Sequence, residues 1–293
     1  MSSRIRLPGG LAVPVALLLV AMVSMQFGAA FAKGLFPKVG PQGATALRLG
    51  FSALILAAVQ RPWRGLRIDR SLVPLVAYGL CLGGMNTLFY MALRTVPLGV
   101  AIALEFIGPL VVAILGSRRW LDGAWIALAV VGLLLLLPLQ RSAQAIDPAG
   151  AGLALASGTC WALYIVFGRT VGQSFGSRGT ALGMIIAAGV FVPLGVARAG
   201  PEVFSLAVLP SGVLLALLSS AVPYSLEMTA LTRIPARAFG TLMSLEPAIG
   251  ALAGLLMLGE TPTPIQWAGM GAIILASLGT AVTLRPETQL LPT

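Results

Sequence analysis

The stretch Ala124 to Leu139 reads AWIALAVVGLLLLLPL, a run with no charged residue in it. Runs of this length and apolarity belong to helices that are buried on all sides or bathed in lipid. Others like it fill the chain. Of 293 residues, 58% are apolar and only 10% are charged, where an ordinary soluble domain carries about 25% charged residues. The mean hydropathy is +0.96, so too few polar side chains exist to cover a water-soluble fold, and the same numbers exclude a disordered chain. An integral membrane protein is expected. In lipid only helices and closed barrels satisfy every backbone N–H and C=O, and barrel strands read as short alternating segments. The unbroken runs here point to an all-α membrane fold.

At about 20 residues per crossing, the apolar runs divide into ten segments at roughly 11–32, 42–60, 71–93, 96–117, 121–139, 148–168, 178–197, 207–229, 235–258 and 262–283. Arg4 and Arg6, followed by an apolar stretch and Ala30-Phe31-Ala32, imitate a cleavable secretory signal,. The repeat described below needs that segment as its first helix, so it is read as a crossing. With the N-terminus in the cytoplasm, 13 of the 19 Lys and Arg residues fall on the cytoplasmic side and 5 on the other, with Arg48 inside the second crossing. That asymmetry is the positive-inside pattern, and it puts the short tails 1–10 and 284–293 in the cytoplasm.

Several function classes drop out on composition. Histidine is absent, which removes Ser-His-Asp catalysis, His-built zinc sites and His-ligated haem. No Gly-x-x-x-x-Gly-Lys-Ser/Thr loop is present to hold a nucleotide,, and no cofactor is expected. Cys81 and Cys160 lie in apolar runs and read as two buried small residues,. The net charge of +10 is carried by 17 arginines and 2 lysines scattered through many loops. A nucleic-acid partner needs a contiguous basic face, so anionic lipid headgroups are the expected counter-charge.

The two halves match in order. Phe31-Ala32-Lys33 recurs as Phe167-Gly168-Arg169, and Thr45-Ala46-Leu47 as Thr180-Ala181-Leu182. Ala92-Leu93-Arg94-Thr95-Val96-Pro97 recurs as Ala230-Leu231-Thr232-Arg233-Ile234-Pro235, Leu104-Glu105 as Leu245-Glu246, and Trp125 as Trp267. Five ordered matches with slowly drifting offsets indicate a five-helix repeat, spanning 11–139 and then 148–283. Because five is odd, the second copy enters the membrane from the opposite side. Inverted repeats around a central cavity are the architecture of secondary transporters, with the substrate near the midplane.

Three stretches carry a resemblance. Phe36 to Leu49 (FPKVGPQGATALRL), Leu80 to Pro109 (LCLGGMNTLFYMALRTVPLGVAIALEFIGP) and Val222 to Pro247 (VPYSLEMTALTRIPARAFGTLMSLEP) closely resemble the threonine/homoserine exporter branch of the drug/metabolite transporter superfamily, the EamA type. Ten-helix exporters of aromatic amino acids belong to the same superfamily. The resemblance implies ten helices, inverted repeats, a bacterial inner membrane and efflux of amino acids. Glu260 closes the ninth segment in the family manner, whereas its counterpart region Gly116-Ser117-Arg118 has no acid.

A charge at bilayer depth costs about 2.5–3.5 kcal/mol on insertion scales, so intramembrane acids are functional candidates. Glu105 and Glu246 fall near the middle of the fourth and ninth segments, at equivalent places in the repeats. Each either lines the cavity to bind a substrate ammonium or exchange a proton, or clamps helices together. Glu227 sits toward the cytoplasmic end of the eighth segment, where it can snorkel or pair with Arg233 or Arg237,. Arg48 either snorkels outward or forms a gate pair with an acid. Amphipathic stripes supply the rest of the expected binding surface: Met22 and Gln26 on the first helix; Tyr78, Asn86 and Tyr90 on the third; Ser157, Trp161 and Tyr164 on the sixth; Ser220 and Tyr224 on the eighth. The same stripes also suit helix packing.

A secondary transporter exporting small neutral amino acids is the leading expectation, threonine- and homoserine-like, with methionine and aromatic amino acids as further substrates. The main alternative is efflux of organic cations, but such pumps want an acid in the first helix, where this chain has Gln26. A lipid-modifying enzyme needs paired catalytic groups near an interface, which the short basic loops lack. A passive channel differs by flux that does not saturate. With both repeats on one chain, a monomer is expected.

Overall fold

A computed structural model describes residues 12–63, 70–115, 120–136, 146–176, 178–231, 233 and 242–283. Among these the regular structure is helical throughout, as the uninterrupted apolar runs require. The helices are α1 (Ala12–Gln60), α2 (Leu72–Ala92), α3 (Leu98–Glu105), α4 (Ile107–Leu115), α5 (Trp120–Leu136), α6 (Pro148–Phe175), α7 (Arg178–Ala199), α8 (Leu209–Ala216), α9 (Val222–Leu231), α10 (Glu246–Leu258) and α11 (Pro264–Thr283). A short 3-10 turn, Pro201–Phe204, follows α7, and a π-turn, Leu217–Ala221, joins α8 to α9. By length and apolarity α1, α2, α6 and α7 each suffice to cross a bilayer; the others are shorter. The chain is a multi-pass membrane protein.

The first two expected segments are one helical element of 49 residues, broken at Gly40. The segment expected to end at 32 continues through Gly34 and Pro37 to Val39, and the helix breaks only where the chain meets Gly40-Pro41. Gly40 stands at φ 66° and ψ 172°, a conformation that side chains resist, and Pro41 has no N–H to continue the ladder. The first half of α1 packs on the π-turn, α9 and α10, and the second half lies along α7 and α8. Elsewhere α2 lies on α6 and α7, α3 on α10, and α5 on α11.

Close approach in lipid needs small residues, since no hydrophobic driving force separates helix from tail. A Cβ on Gly158 of α6 would strike the carbonyl oxygen of Glu105, and one on Gly108 would strike the carbonyl of Gly158. Backbone therefore meets backbone where α6 crosses the α3–α4 junction. Cys81 and Cys160 are free and only half-buried. They were expected to be buried; each is partly exposed instead, with Cys160 Sγ against Gly84 where α6 meets α2.

On one side of the molecule three chain segments are tied by one carboxylate. Gly259, at φ 66°, ends α10 in the left-handed conformation, and the Glu260 N–H returns to Gly254 O at 3.1 Å. This closure of the helix end turns the Glu260 side chain toward the start of α3. There Pro97 holds the N-cap position and has no side-chain donor or acceptor to cap with. Glu260 Oε2 accepts the orphan N–H of Leu98 at 2.7 Å, and Oε1 pairs with Lys33 Nζ at 2.6 Å. Lys33 also donates to Val96 O at 3.2 Å. The region Gly116-Ser117-Arg118 lies outside the described residues.

Candidate functional site

The site is assembled from helices that prolines have interrupted. Glu105 ends α3, and the next helix begins at Ile107. Pro109, four residues on, has no N–H to offer the Glu105 carbonyl, which is the oxygen that Gly158 approaches. Glu246 opens α10, with Pro247 in the first turn. Both acids were expected in mid-helix; both lie instead at interruptions. An acid in a first turn is favoured by the helix dipole, which suits Glu246.

The third interruption positions Arg48. In the π-turn the Val222 N–H bonds Leu217 O, so Leu218 O loses its usual donor, and Ser24 Oγ replaces it at 2.8 Å. Pro223 denies a donor to Ser219 O. Arg48 Nη2 takes that carbonyl at 2.9 Å, while Nε donates to Ser220 Oγ and Nη1 to Tyr90 Oη, both at 3.2 Å. The Tyr90 ring lies 5.5 Å from the guanidinium carbon, within cation–π range. Arg48 is 5% exposed. It neither snorkels nor meets an acid within ion-pair distance among the described residues.

These groups face a cavity of about 100 Å³. A single water needs roughly 10–15 Å³ by that measure, so the space admits a small organic solute. Glu105, Glu227, Glu246 and Arg48 all line it, with Gln26 and Asn86 beside them. Trp161, Tyr164 and Tyr224 supply aromatic walls. Asn86 Nδ2 donates to Leu82 O at 2.8 Å on its own helix, leaving the amide oxygen to accept. Ser157 Oγ lies 2.6 Å from Glu105 Oε1 and 2.7 Å from Met85 O, which ties the acid to α6 and to α2. No ion pair joins Glu227 to Arg233 among the described residues, and Arg237 lies outside them. Glu227 faces the cavity instead.

Two candidates stand behind the wall. Tyr78 stacks on Tyr164 at 4.6 Å, with their hydroxyls 3.1 Å apart. Tyr90 is fully buried beneath Arg48. Met22 packs into the core with Leu18 and Ala230, and Met25, three residues on, lines the cavity in its place. Ala29, Met85, Phe89, Ile102 and Met243 complete the lining. These apolar residues carry no signal distinguishing them from ordinary core. Ala29, Phe89 and Ile102 were nonetheless within reach, each lying three residues from a polar candidate (Gln26, Asn86 and Glu105) on the same helix,.

A helical membrane protein enclosing a solute-sized cavity of mixed charge is the body plan of a membrane carrier. The chain belongs to the EamA-like transporter family. The family model matches residues 148–282. It is 52% identical over 277 residues to the threonine/homoserine exporter RhtA of Escherichia coli (strain K12), covering 94% of each chain, and equally similar to the exporter of that name from Salmonella typhimurium (strain LT2). A more distant relative is the uncharacterized transporter YwfM of Bacillus subtilis (strain 168), 29% identical over 260 residues. A crystal structure with 17% sequence identity superposes with a TM-score of 0.59 over 90% of this chain and 96% of that one, a likeness of fold alone. The chain is accordingly a transporter and not an enzyme.

Proposed function

We propose that this protein is a secondary transporter that exports small neutral amino acids, threonine and homoserine foremost, across the bacterial inner membrane by alternating access. The observation that carries the reading is the convergence of Glu105, Glu227 and Glu246 with Asn86 on one small cavity. Acids and an amide oxygen suit an ammonium group, and the aromatic walls suit a short side chain. The choice of amino acid is supported by 52% identity with a protein named as a threonine/homoserine exporter. Methionine and aromatic amino acids are the next substrates to try. In this reading Glu105 and Glu246 hold the substrate ammonium, and one of them exchanges a proton in the transport cycle. Glu227 and Arg48 act nearby in coupling or gating.

The architecture we propose is ten crossings in two inverted five-helix repeats, 11–139 and 148–283, with both termini cytoplasmic and one chain as the working unit. Support comes from which helices pair. The second half of α1 lies on α7, α3 on α10, and α5 on α11, and each pair joins equivalent members of the two repeats. A pseudo-two-fold axis in the membrane plane makes such partners meet. We take a monomer as the working unit because both repeats lie on one chain. Lipid headgroups then meet the arginines on the cytoplasmic side.

Counterflow in proteoliposomes tests the function. Vesicles preloaded with one unlabelled amino acid should accumulate its labelled form saturably and stereoselectively, with threonine or homoserine ahead of methionine and phenylalanine. No counterflow across the panel shifts the assignment to organic cations, and flux without saturation shifts it to a channel. If Glu105→Gln leaves the pH dependence of transport unchanged, Glu105 is not the proton carrier.

A further inference from the structure

We propose that Arg48 is the anchor for the carboxylate of the transported amino acid, an assignment that rests on the export reading above. Arg48 is 5% exposed, yet its side chain reaches the cavity. Every hydrogen-bond partner it has among the described residues is neutral: Ser219 O, Ser220 Oγ and the hydroxyls of Tyr90 and Tyr224. Neutral acceptors fix the plane of a guanidinium but do not neutralise it. Three carboxyls line the same cavity, and none lies within ion-pair distance of it among the described residues. Glu105 is occupied elsewhere, by Ser157.

A buried cation without a bonded counter-charge is costly. The fold maintains this one deliberately, since Pro223 frees the Ser219 carbonyl that holds it. The guanidinium fork matches a carboxylate through two parallel N–H···O bonds, a geometry an ammonium cannot reproduce. A zwitterion placed with its carboxylate on Arg48 and its ammonium toward the acids satisfies both signs of charge in one pose. A plain organic cation satisfies only one and leaves Arg48 without an anion. The residue therefore sets the chemical class of solute as well as its orientation.

The test uses the full chain in proteoliposomes. Counterflow of labelled threonine is measured against unlabelled threonine, threoninamide and threoninol, the last two lacking a carboxylate. Threonine should compete at least ~30-fold better than either analogue, because a buried charge left unpaired is heavily penalised. Arg48→Gln should abolish that preference, and Arg48→Lys should keep part of it, a point charge without the fork. A wild-type protein that takes threoninamide as readily as threonine overturns the assignment, as does an Arg48→Gln protein that keeps the wild-type preference. If Arg48→Gln does not fold, Arg48→Lys decides: a preference reduced by about tenfold supports the anchor, and an unchanged one overturns it. Absence of amino acid counterflow in the wild type overturns the export reading and the anchor together. Threonine counterflow with an unaltered preference in the variant overturns the anchor alone.

Discussion

Lys33 and Glu260, 227 positions apart in the chain, meet at 2.6 Å. The same carboxylate caps α3 through the Leu98 N–H, so one side chain fastens the first helix, the entry to the fourth segment and the exit of the ninth. The pair is partly exposed, at 22% and 14% of the two side chains, and its Coulombic part is screened accordingly. Glu260→Gln keeps an acceptor for Leu98 and should cost no more than about 1 kcal/mol. Glu260→Ala loses the cap as well and should cost about 1 kcal/mol more. Thermal unfolding of the purified proteins in detergent checks the order, and a Gln variant as damaged as the Ala variant contradicts it.

Gly158→Ala drives a methyl into the Glu105 carbonyl, backbone against backbone, where no rotamer gives relief. A loss of about 1–3 kcal/mol is expected, with transport falling in step as α6 moves off the acid. Gly152, on the same helix with open space at its Cβ position, is the control. Gly152→Ala should leave transport unchanged and the unfolding temperature unchanged or slightly raised.

Pro223→Ala returns an N–H to the Ser219 carbonyl, and that carbonyl is held by Arg48 at 2.9 Å. Competition for one acceptor should loosen Arg48 and raise the concentration of threonine needed for half-maximal counterflow by about 3–10-fold. Stability should be unchanged or improved, because a helix regains a bond. A variant with unaltered threonine affinity would show that the carbonyl does not position the arginine.

Asp147 caps α6, accepting from Gly150 N at 3.1 Å and Ala149 N at 3.2 Å. A hydrogen bond from the Thr95 side chain, and then those two N–H groups, hold its carboxyl below the usual range. A lowered folded-state value contributes stability above the ordinary Asp range, and that stability is lost as pH falls through the lowered value. The unfolding temperature of the wild type should decline below about pH 4, and Asp147→Ala should remove that component while lowering stability at neutral pH. Melting curves across pH for both proteins decide it.

Much of the site was legible because helical spacing is a local property. Trp161 and Tyr164 lie three apart on α6, Tyr224 and Glu227 three apart on α9, and all four reach the cavity. Glu105 and Glu246 were singled out by the cost of burying charge. Their settings were legible in part: Pro109 lies four residues after Glu105 and Pro247 directly after Glu246, which marks a kink, but how each helix is interrupted depends on how those prolines are accommodated once helices pack. Arg48 was left between snorkelling and a gate pair, since its partners Ser219 and Ser220 lie 171 and 172 positions away. Tyr78 and Tyr90 share the polar stripe of Asn86, yet they serve as backing for Tyr164 and Arg48. Spacing assigns a residue to a helix face, but the depth of that face is fixed by the helix that covers it.

The prolines at 109 and 247 leave the carbonyls of Glu105 and Met243 without their helical donors, beside the cavity in each half of the chain. Bending at either point therefore meets one backbone hydrogen bond fewer than an unbroken helix would present, although neighbouring bonds such as Phe106 N–H to Ile102 O and Ile249 N–H to Leu245 O still span the breaks. The work of switching falls on side-chain contacts such as Lys33 with Glu260, and those re-form on the millisecond scale of rigid-body motion. The backbone is thus softest beside the solute cavity, while the tie of Lys33 to Glu260 stands apart from that cavity's lining.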